Sequence, residues 1–583
     1  MLLRLSWDYL RQRKARVLAV LVLQLIQSIA SLWLPAINAM IINDGVLLAD
    51  IGKIWQLGSI MLAVTILQVI AMGTAIYVGA GLAMGLGHHL RSEMFVKVQG
   101  FGRAELHSFG PASLITRSTN DVTQVQMVVH MTFTIIVMAP IMGVGGIIMA
   151  AGQDVALSGL FAIIVPVLGL FTFGMMVRLA PLYEIQQKRV DTINRLLREQ
   201  LTGVRVIRAF LRQRAQMLRF RAANDDMREV WLKIGTTWAF MMPVIQMIVG
   251  LSSVAIVWFG GHRIDDGGMQ VGALVAFINY LMLILMAIMM AAMMFMMVPR
   301  AQVSATRIGA VLNTDIDIKA PADPAPLPPS PAAYSINSAT VQYDDADRPV
   351  LDSISLSLDP GTTTAVVGGT GSGKTTLVHM LSRMVDPVSG SVTLGGTDIK
   401  SFDPMALRER VALIPQKAYL FAGTVASTVT GERGASQFDE KRIWRALDAA
   451  QATEFVAKLD DGLEARIDPG GRNLSGGQRQ RLTIARALYR AMEDEVDLII
   501  FDDSFSALDF ATDQRLRHAL PEAIPGTAVL IVAQRISTIR SADRILVLDE
   551  GRDVGQGTHE ELMTSCTTYQ EIVSSQLSAE EAS

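Results

Sequence analysis

The segment Gly368-Gly369-Thr370-Gly371-Ser372-Gly373-Lys374-Thr375 has the spacing G-x-x-x-x-G-K-[ST]. Glycines let backbone N–H groups wrap closely around an anion, and a helix N-terminus behind them favours negative charge. The chemistry expected is binding of a nucleoside triphosphate, with Gly368, Thr370, Gly371, Ser372, Gly373 and Thr376 around the phosphates. Lys374 would reach the β- and γ-phosphates, and the Thr375 hydroxyl would hold Mg²⁺. The apolar run Thr364-Ala365-Val366-Val367 precedes the loop and the helix-like stretch Thr376–Leu381 follows it. Strand, glycine loop and helix form the setting that this motif requires.

About a hundred residues on stands Leu474-Ser475-Gly476-Gly477-Gln478, followed by Arg479-Gln480-Arg481. With the phosphate loop upstream, this pentapeptide resembles the LSGGQ signature of the ATP-binding cassette (ABC) transporters, and the resemblance extends over essentially the whole chain. It implies ATP and Mg²⁺ as ligands. Tyr343 looks like the aromatic that stacks on adenine, and Gln416 in Leu413-Ile414-Pro415-Gln416 looks like the glutamine that touches Mg²⁺ and faces the membrane domain. Leu498-Ile499-Ile500-Phe501-Asp502 reads as a buried strand ending in an acid, whose Asp502 would complete the Mg²⁺ shell. Ser506-Ala507-Leu508-Asp509 matches the family's D-loop, which places Asp509 beside the nucleotide. In this family two cassettes pack head to tail, so that Ser475, Gly476, Gly477 and Gln478 would act on an ATP held by a second cassette. Ser118–Val122 and Gly203–Phe210 look like the exporters' two cytosolic loops.

Two residues depart from the family pattern. The glutamate that polarises the attacking water is replaced by Asp503, and the switch histidine after the last core strand is replaced by Gln534. An aspartate is one methylene, about 1.5 Å, shorter than a glutamate. Misplacement on that scale can cost about 10²-fold in rate. Glutamine can hydrogen-bond a phosphate but cannot carry the charge or exchange the proton that imidazole can. The segment Ile467–Arg472 also lacks the family's usual Glu-Arg-Gly pattern. The chain thus resembles the degenerate-site subunit of heterodimeric bacterial multidrug exporters. That likeness implies a partner half-transporter with Glu and His at the equivalent positions.

The elements that must position these residues fall into two parts. The 583 residues carry a net charge of −3, a total that says nothing about nucleic acid, and are 51% hydrophobic, which points to membrane spans. Six apolar runs, near 16–42, 54–86, 131–151, 155–178, 237–261 and 271–298, are long enough for a hydrocarbon core of about 30 Å. Thirteen basic residues in 178–233 and five in the first sixteen, against Lys53 and Arg263 in the other loops, place both termini in the cytosol. The segments 87–130 and 179–236 are expected to be long helices projecting from the membrane. Six prolines between Pro321 and Pro331 predict a stiff extended linker. The expected organisation is a membrane domain over 1–312, a linker over 313–333 and a nucleotide-binding domain over 334–583. The fold class is a six-helix transmembrane bundle of the type I exporter (type IV) fold, followed by an α/β P-loop ATPase domain.

The spans hold polar groups (Gln24, Gln27, Asn38, Gln68, Gln246, Asn279, Tyr280) but almost no charge, which suits an apolar or amphiphilic cargo better than ion coupling. Methionines 282, 286, 289, 290, 293, 294, 296 and 297 crowd the last span, where they either adapt to varied ligands or simply pack. The one cysteine, Cys566, allows no internal disulfide, and no cleavable signal peptide is evident. The expected location is the cytoplasmic membrane. Two other readings remain: an exporter-fold siderophore importer subunit, and an ATP-binding regulatory subunit that transports nothing.

Overall fold

The computed structural model describes residues 1–343, 346–431, 439–493 and 495–581. The chain forms two compact units: Met1–Gly100 with Ser108–Thr314, and Phe101–His107 with Asp315–Ser583.

In the first unit, six helices are long and apolar enough to cross a bilayer: Lys14–Val46, Ile51–Gln99, Pro111–Gln153, Val155–Thr202, Gln213–Asp265 and Val271–Leu312. An amphipathic helix, Leu2–Arg11, precedes them. Small residues let the spans approach closely. A Cβ on Gly145 would meet Leu32, and one on Gly272 would meet the Ala39 carbonyl. The Gly272 N–H donates to Asn43 Oδ1 at 2.7 Å, and Tyr280, fully buried, donates to the Leu32 carbonyl at 3.1 Å. Gln24 and Gln27 are buried, as a polar face of the first span turned inward requires. The methionines of the last span scatter around it. Met282, Met286 and Met293 are exposed and Met294 is buried, while the side chain of Met296 lies outside the described residues.

The projecting helices differ from expectation in being interrupted. The stretch after the second span breaks at Gly100 and resumes as Arg103–Phe109 and then Pro111–Gln153, with Gly110 at φ +73°. The helix expected over 179–236 ends at Thr202, continues as the short helix Val204–Ala209, and restarts at Gln213. Gly203 ends the first helix and Leu211 adopts φ +52°, so the apolar periodicity carries over a turn that it did not reveal. Val206, Phe210 and Leu211 are exposed.

In the second unit, a four-stranded antiparallel sheet is built from β1 (Tyr334–Val341), β2 (Leu351–Leu358), β4 (Ser389–Leu394) and β5 (Thr397–Asp398) in the order β2-β1-β4-β5. The main sheet holds β3 (Thr363–Gly368), β6 (Val411–Ile414), β9 (Leu498–Asp502), β10 (Ala528–Val532), β11 (Arg544–Asp549) and β12 (Arg552–Gly557), ordered β12-β11-β3-β10-β9-β6. All of its pairs are parallel except the edge pair β11–β12. A small ribbon pairs β7 (Gly423–Thr424) with β8 (Arg466–Ile467). The central strands read as near-continuous Val, Ile and Leu because both faces are covered. Val366, Ile500 and Leu530 enter one core, and Val367, Ile499 and Ile531 the other, as the two-residue period dictates.

The proline-rich segment is packed rather than a free spacer. Ala325 and Leu327 lie against the core, and Arg410 donates to the Pro328 carbonyl at 3.1 Å. Asp497, fully buried, accepts from Ser330 Oγ and the Ala332 N–H and pairs with Arg410 at 2.8 Å. Prolines remove backbone donors, so the few N–H groups that remain must find such acceptors.

Candidate nucleotide site

Parallel pairing sets the carboxyl ends of β3, β9, β10 and β6 side by side: Val532 lies opposite both Val366 and Asp502, and Ile414 opposite Phe501. In open α/β sheets, ligands bind at that edge. The loop after β3 carries the glycine motif and leads into the helix Lys374–Leu381, as its spacing predicts. Gly371 and Gly373 have φ of +86° and +97°. A Cβ on Gly373 would stand 2.6 Å from Leu351 Cδ2 and 2.8 Å from the Val350 carbonyl, so only glycine fits. Gly368 is equally confined against the Leu548 carbonyl. Lys374 Nζ donates to the carbonyls of Gly368 (2.8 Å) and Gly369 (2.7 Å) and to Ser372 Oγ (3.3 Å). Burial lowers the lysine pKa, while the charges of Asp503 and Asp502 oppose that shift. Thr370, Gly371 and Thr375 are exposed at the loop, whereas Thr376 is buried and shares a 3.3 Å hydrogen bond with Tyr343 Oη. Tyr343 therefore stands beside the first turn of the phosphate-loop helix.

Asp502 ends β9, and Asp503 follows with φ +47°, a left-handed turn that aspartate tolerates better than most residues. Its N–H donates to the Val532 carbonyl at 2.8 Å. The side chain is engaged from two directions: Asp503 Oδ2 accepts from Gln416 Nε2 at 3.0 Å and from Gln534 Nε2 at 3.1 Å. The sequence marked these three residues separately, and the structure brings them to one oxygen. Burial raises the Asp503 pKa, opposed by the Gln416 hydrogen bond and by the charges of Lys374 and Arg535. Burial followed by the neighbouring Asp503 charge raises that of Asp502. Thr375, Gln416 and Asp502 would offer a cation oxygen donors only, with one carboxylate among them. This suits Mg²⁺, which binds proteins through few side chains and otherwise through water and phosphate.

The signature pentapeptide opens the helix Gly476–Glu493 as a capping box. Ser475 Oγ accepts from the Gln478 N–H at 3.3 Å, and Gln478 Oε1 accepts from the Ser475 N–H at 2.9 Å. Ser475 and Gly476 are exposed, so a helix N-terminus faces outward. Asp509 caps the helix Phe510–Ala523, accepting from the Thr512 N–H and hydroxyl at 2.9 and 2.8 Å. Those bonds hold its carboxyl below the usual range. In the segment before the signature, the Gly470 N–H donates to the Leu420 carbonyl, tying the region after Gln416 to the signature. Sequence reasoning missed the Arg103 Nη1–His379 Nδ1 contact of 2.8 Å at the far end of the phosphate-loop helix, because nothing in the spacing links positions so far apart.

The match to known families follows this geometry. Residues 17–289 match the ABC transporter transmembrane region, and residues 351–506 match the ABC transporter family. An uncharacterized ABC transporter ATP-binding protein of Mycobacterium bovis is 44% identical over 99% of this chain and 98% of its own length. The chain belongs to the ABC transporter family. It is also similar to an ATP-dependent lipid A-core flippase of Cupriavidus metallidurans, with 28% identity over 96% of this chain and 94% of the flippase. A bacterial Atm1-family ABC exporter solved with ATP bound shares the fold, with a TM-score of 0.79 at 21% identity over 97% of this chain and 98% of that one. The protein is thus a multi-pass membrane ABC transporter with membrane and ATPase parts in one chain.

Proposed function

We propose that this chain is one half of a heterodimeric ATP-driven exporter of hydrophobic or amphiphilic compounds, with a hydrolytically impaired site on its own phosphate loop. One observation carries the reading: Asp503, which follows β9 at the position of the family's glutamate, has the shorter side chain and an oxygen already accepting from two amides. Gln534 cannot relay a proton as a histidine would.

The glycine loop and Lys374 bind the triphosphate, Tyr343 stacks on the base, and Thr375, Asp502 and Gln416 would hold Mg²⁺, whose charge would offset that of the phosphates. Lys374 exchanges its loop carbonyls for phosphate oxygens. Asp503 is too short and too encumbered to orient water well, so ATP stays bound. The outward-facing helix start at Ser475–Gln478 completes the site of a partner that has the normal Glu and His, and hydrolysis there resets the cycle. ATP energy reaches the bundle only through its preference for the closed cassettes. The basic inner segments support a cytoplasmic membrane location with both termini in the cytosol. The uncharged polar face of the first span and the lipid substrate named for the flippase relative both favour an amphiphilic cargo.

The test is phosphate release by the purified chain, alone and co-purified with a half-transporter carrying Glu and His. A nearly silent chain and an active pair are expected. Brisk turnover by the chain alone would falsify the impaired-site reading.

A further inference from the structure

The helix Lys374–Leu381 has two ends with different neighbours. Its first turn carries Lys374 and Thr375, and its last turn carries His379, about 8 Å along the axis. Leu377, Val378, Met380 and Leu381 are fully buried, so the helix is seated rigidly and any shift at one end is felt at the other. His379 is the half-buried member of that last turn.

Its partner comes from far away in sequence. Segment 101–107, between the second and third spans, belongs to the ATPase unit. Phe101 and Glu105 are buried there, and Glu105 Oε1 accepts from the Asp317 N–H at 2.9 Å. Between them Arg103 Nη1 lies 2.8 Å from His379 Nδ1. A guanidinium only donates, so Nδ1 must accept, and the imidazole is neutral with its proton on Nε2.

We propose that the Arg103–His379 hydrogen bond is the positioning contact through which the phosphate-loop helix passes nucleotide occupancy to segment 101–107, with His379 as a neutral acceptor. This rests on the reading of the chain as an ATP-driven transporter. Protonating His379 would set two cations against each other and break the contact. The charged groups around the adjoining cavity of about 200 Å³ are Arg103, Glu105, Asp317 and Asp386. Burial and then the Arg103 charge lower the His379 pKa from its ordinary 6.5. The contact is therefore intact at neutral pH and is lost only as pH falls through that lowered value.

The experiment uses the full chain with its partner in lipid nanodiscs. On a Cys566→Ser background, nitroxide labels at Leu48→Cys and Val155→Cys, both exposed, report on the membrane helices. Their distance distribution is compared with and without MgATP, and MgATP affinity is measured separately. Arg103→Ala and His379→Ala are expected to keep affinity within twofold while reducing the nucleotide-driven distance change at least fivefold. His379→Asn places an amide oxygen near the Nδ1 position and should restore the change. As pH is lowered stepwise from neutral, the native chain should lose its response before His379→Asn does. That comparison cancels the titration of Asp502 and Asp503, common to both. If the native chain responds and Arg103→Ala responds equally, or His379→Asn behaves like His379→Ala, or acid acts on both alike, the contact has no such role. If the native chain itself shows no nucleotide response, the ATP-driven cycle fails and takes this inference with it.

Discussion

Replacing Asp503 by Glu together with Gln534 by His addresses the impaired site directly. Glutamate extends the carboxylate by about 1.5 Å. A misplacement near 1 Å costs about 10²-fold, so recovering it returns about 2.7 kcal/mol of barrier. The geometry divides the gain. Asp503 Oδ2 sits 3.0 Å from Gln416 Nε2 and 3.1 Å from Gln534 Nε2, and hydrogen bonds to a charged group are each worth about 1.5–3 kcal/mol. A longer side chain must leave those amides, so Asp503→Glu alone should gain only about tenfold. With Gln534→His one of the two competing amides is gone and an imidazole can support the carboxylate, and the gain should approach 10²-fold. The assay is steady-state phosphate release with MgATP on the chain purified alone. The reasoning is refuted if the double variant is less than threefold faster than the native chain while still binding MgATP with native affinity.

Gly373→Ala should abolish MgATP binding, measured by equilibrium titration, because its Cβ would meet Leu351 and the Val350 carbonyl at a φ of +97°. Asp497→Ala strands a buried Arg410 and frees the linker N–H of Ala332. A loss of about 3–5 kcal/mol is expected, read as a markedly lower thermal midpoint, whereas Glu495→Ala, exposed on its side, should cost little. Ser475→Ala removes half of the capping box, at about 1 kcal/mol of helix stability. Its larger effect should be on the partner's hydrolysis, with MgATP binding by this chain unchanged.

The membrane part and the phosphate loop were legible in the sequence because they rest on local physics. Apolar runs of sufficient length must be helices in lipid, and glycines before Lys374 can be read without knowing what surrounds them. The projecting segments were only half legible. Apolar residues at helical spacing continue through 203–212, and the break there depends on Gly203 and on Leu211 accepting a left-handed turn. The proline-rich stretch reads from its composition as a stiff extended linker. Its partners, however, lie far along the chain: Asp497 accepts from the Ala332 N–H and Arg410 donates to the Pro328 carbonyl, so the stretch is held against the ATPase unit.

The residue types at 416, 503 and 534 were evident from the sequence, and with them the departure from Glu and His. That all three meet at one carboxylate oxygen depends on the parallel register of β6, β9 and β10, which pairing between distant segments sets. The Arg103–His379 contact has the same origin: 276 positions separate its partners, and no local pattern encodes a bond of that span. The sequence by itself determined which chemical groups are present and which backbone elements they open or close. Only the tertiary structure decided which groups share a hydrogen bond, because that choice is made by burial and strand pairing after the local elements have formed.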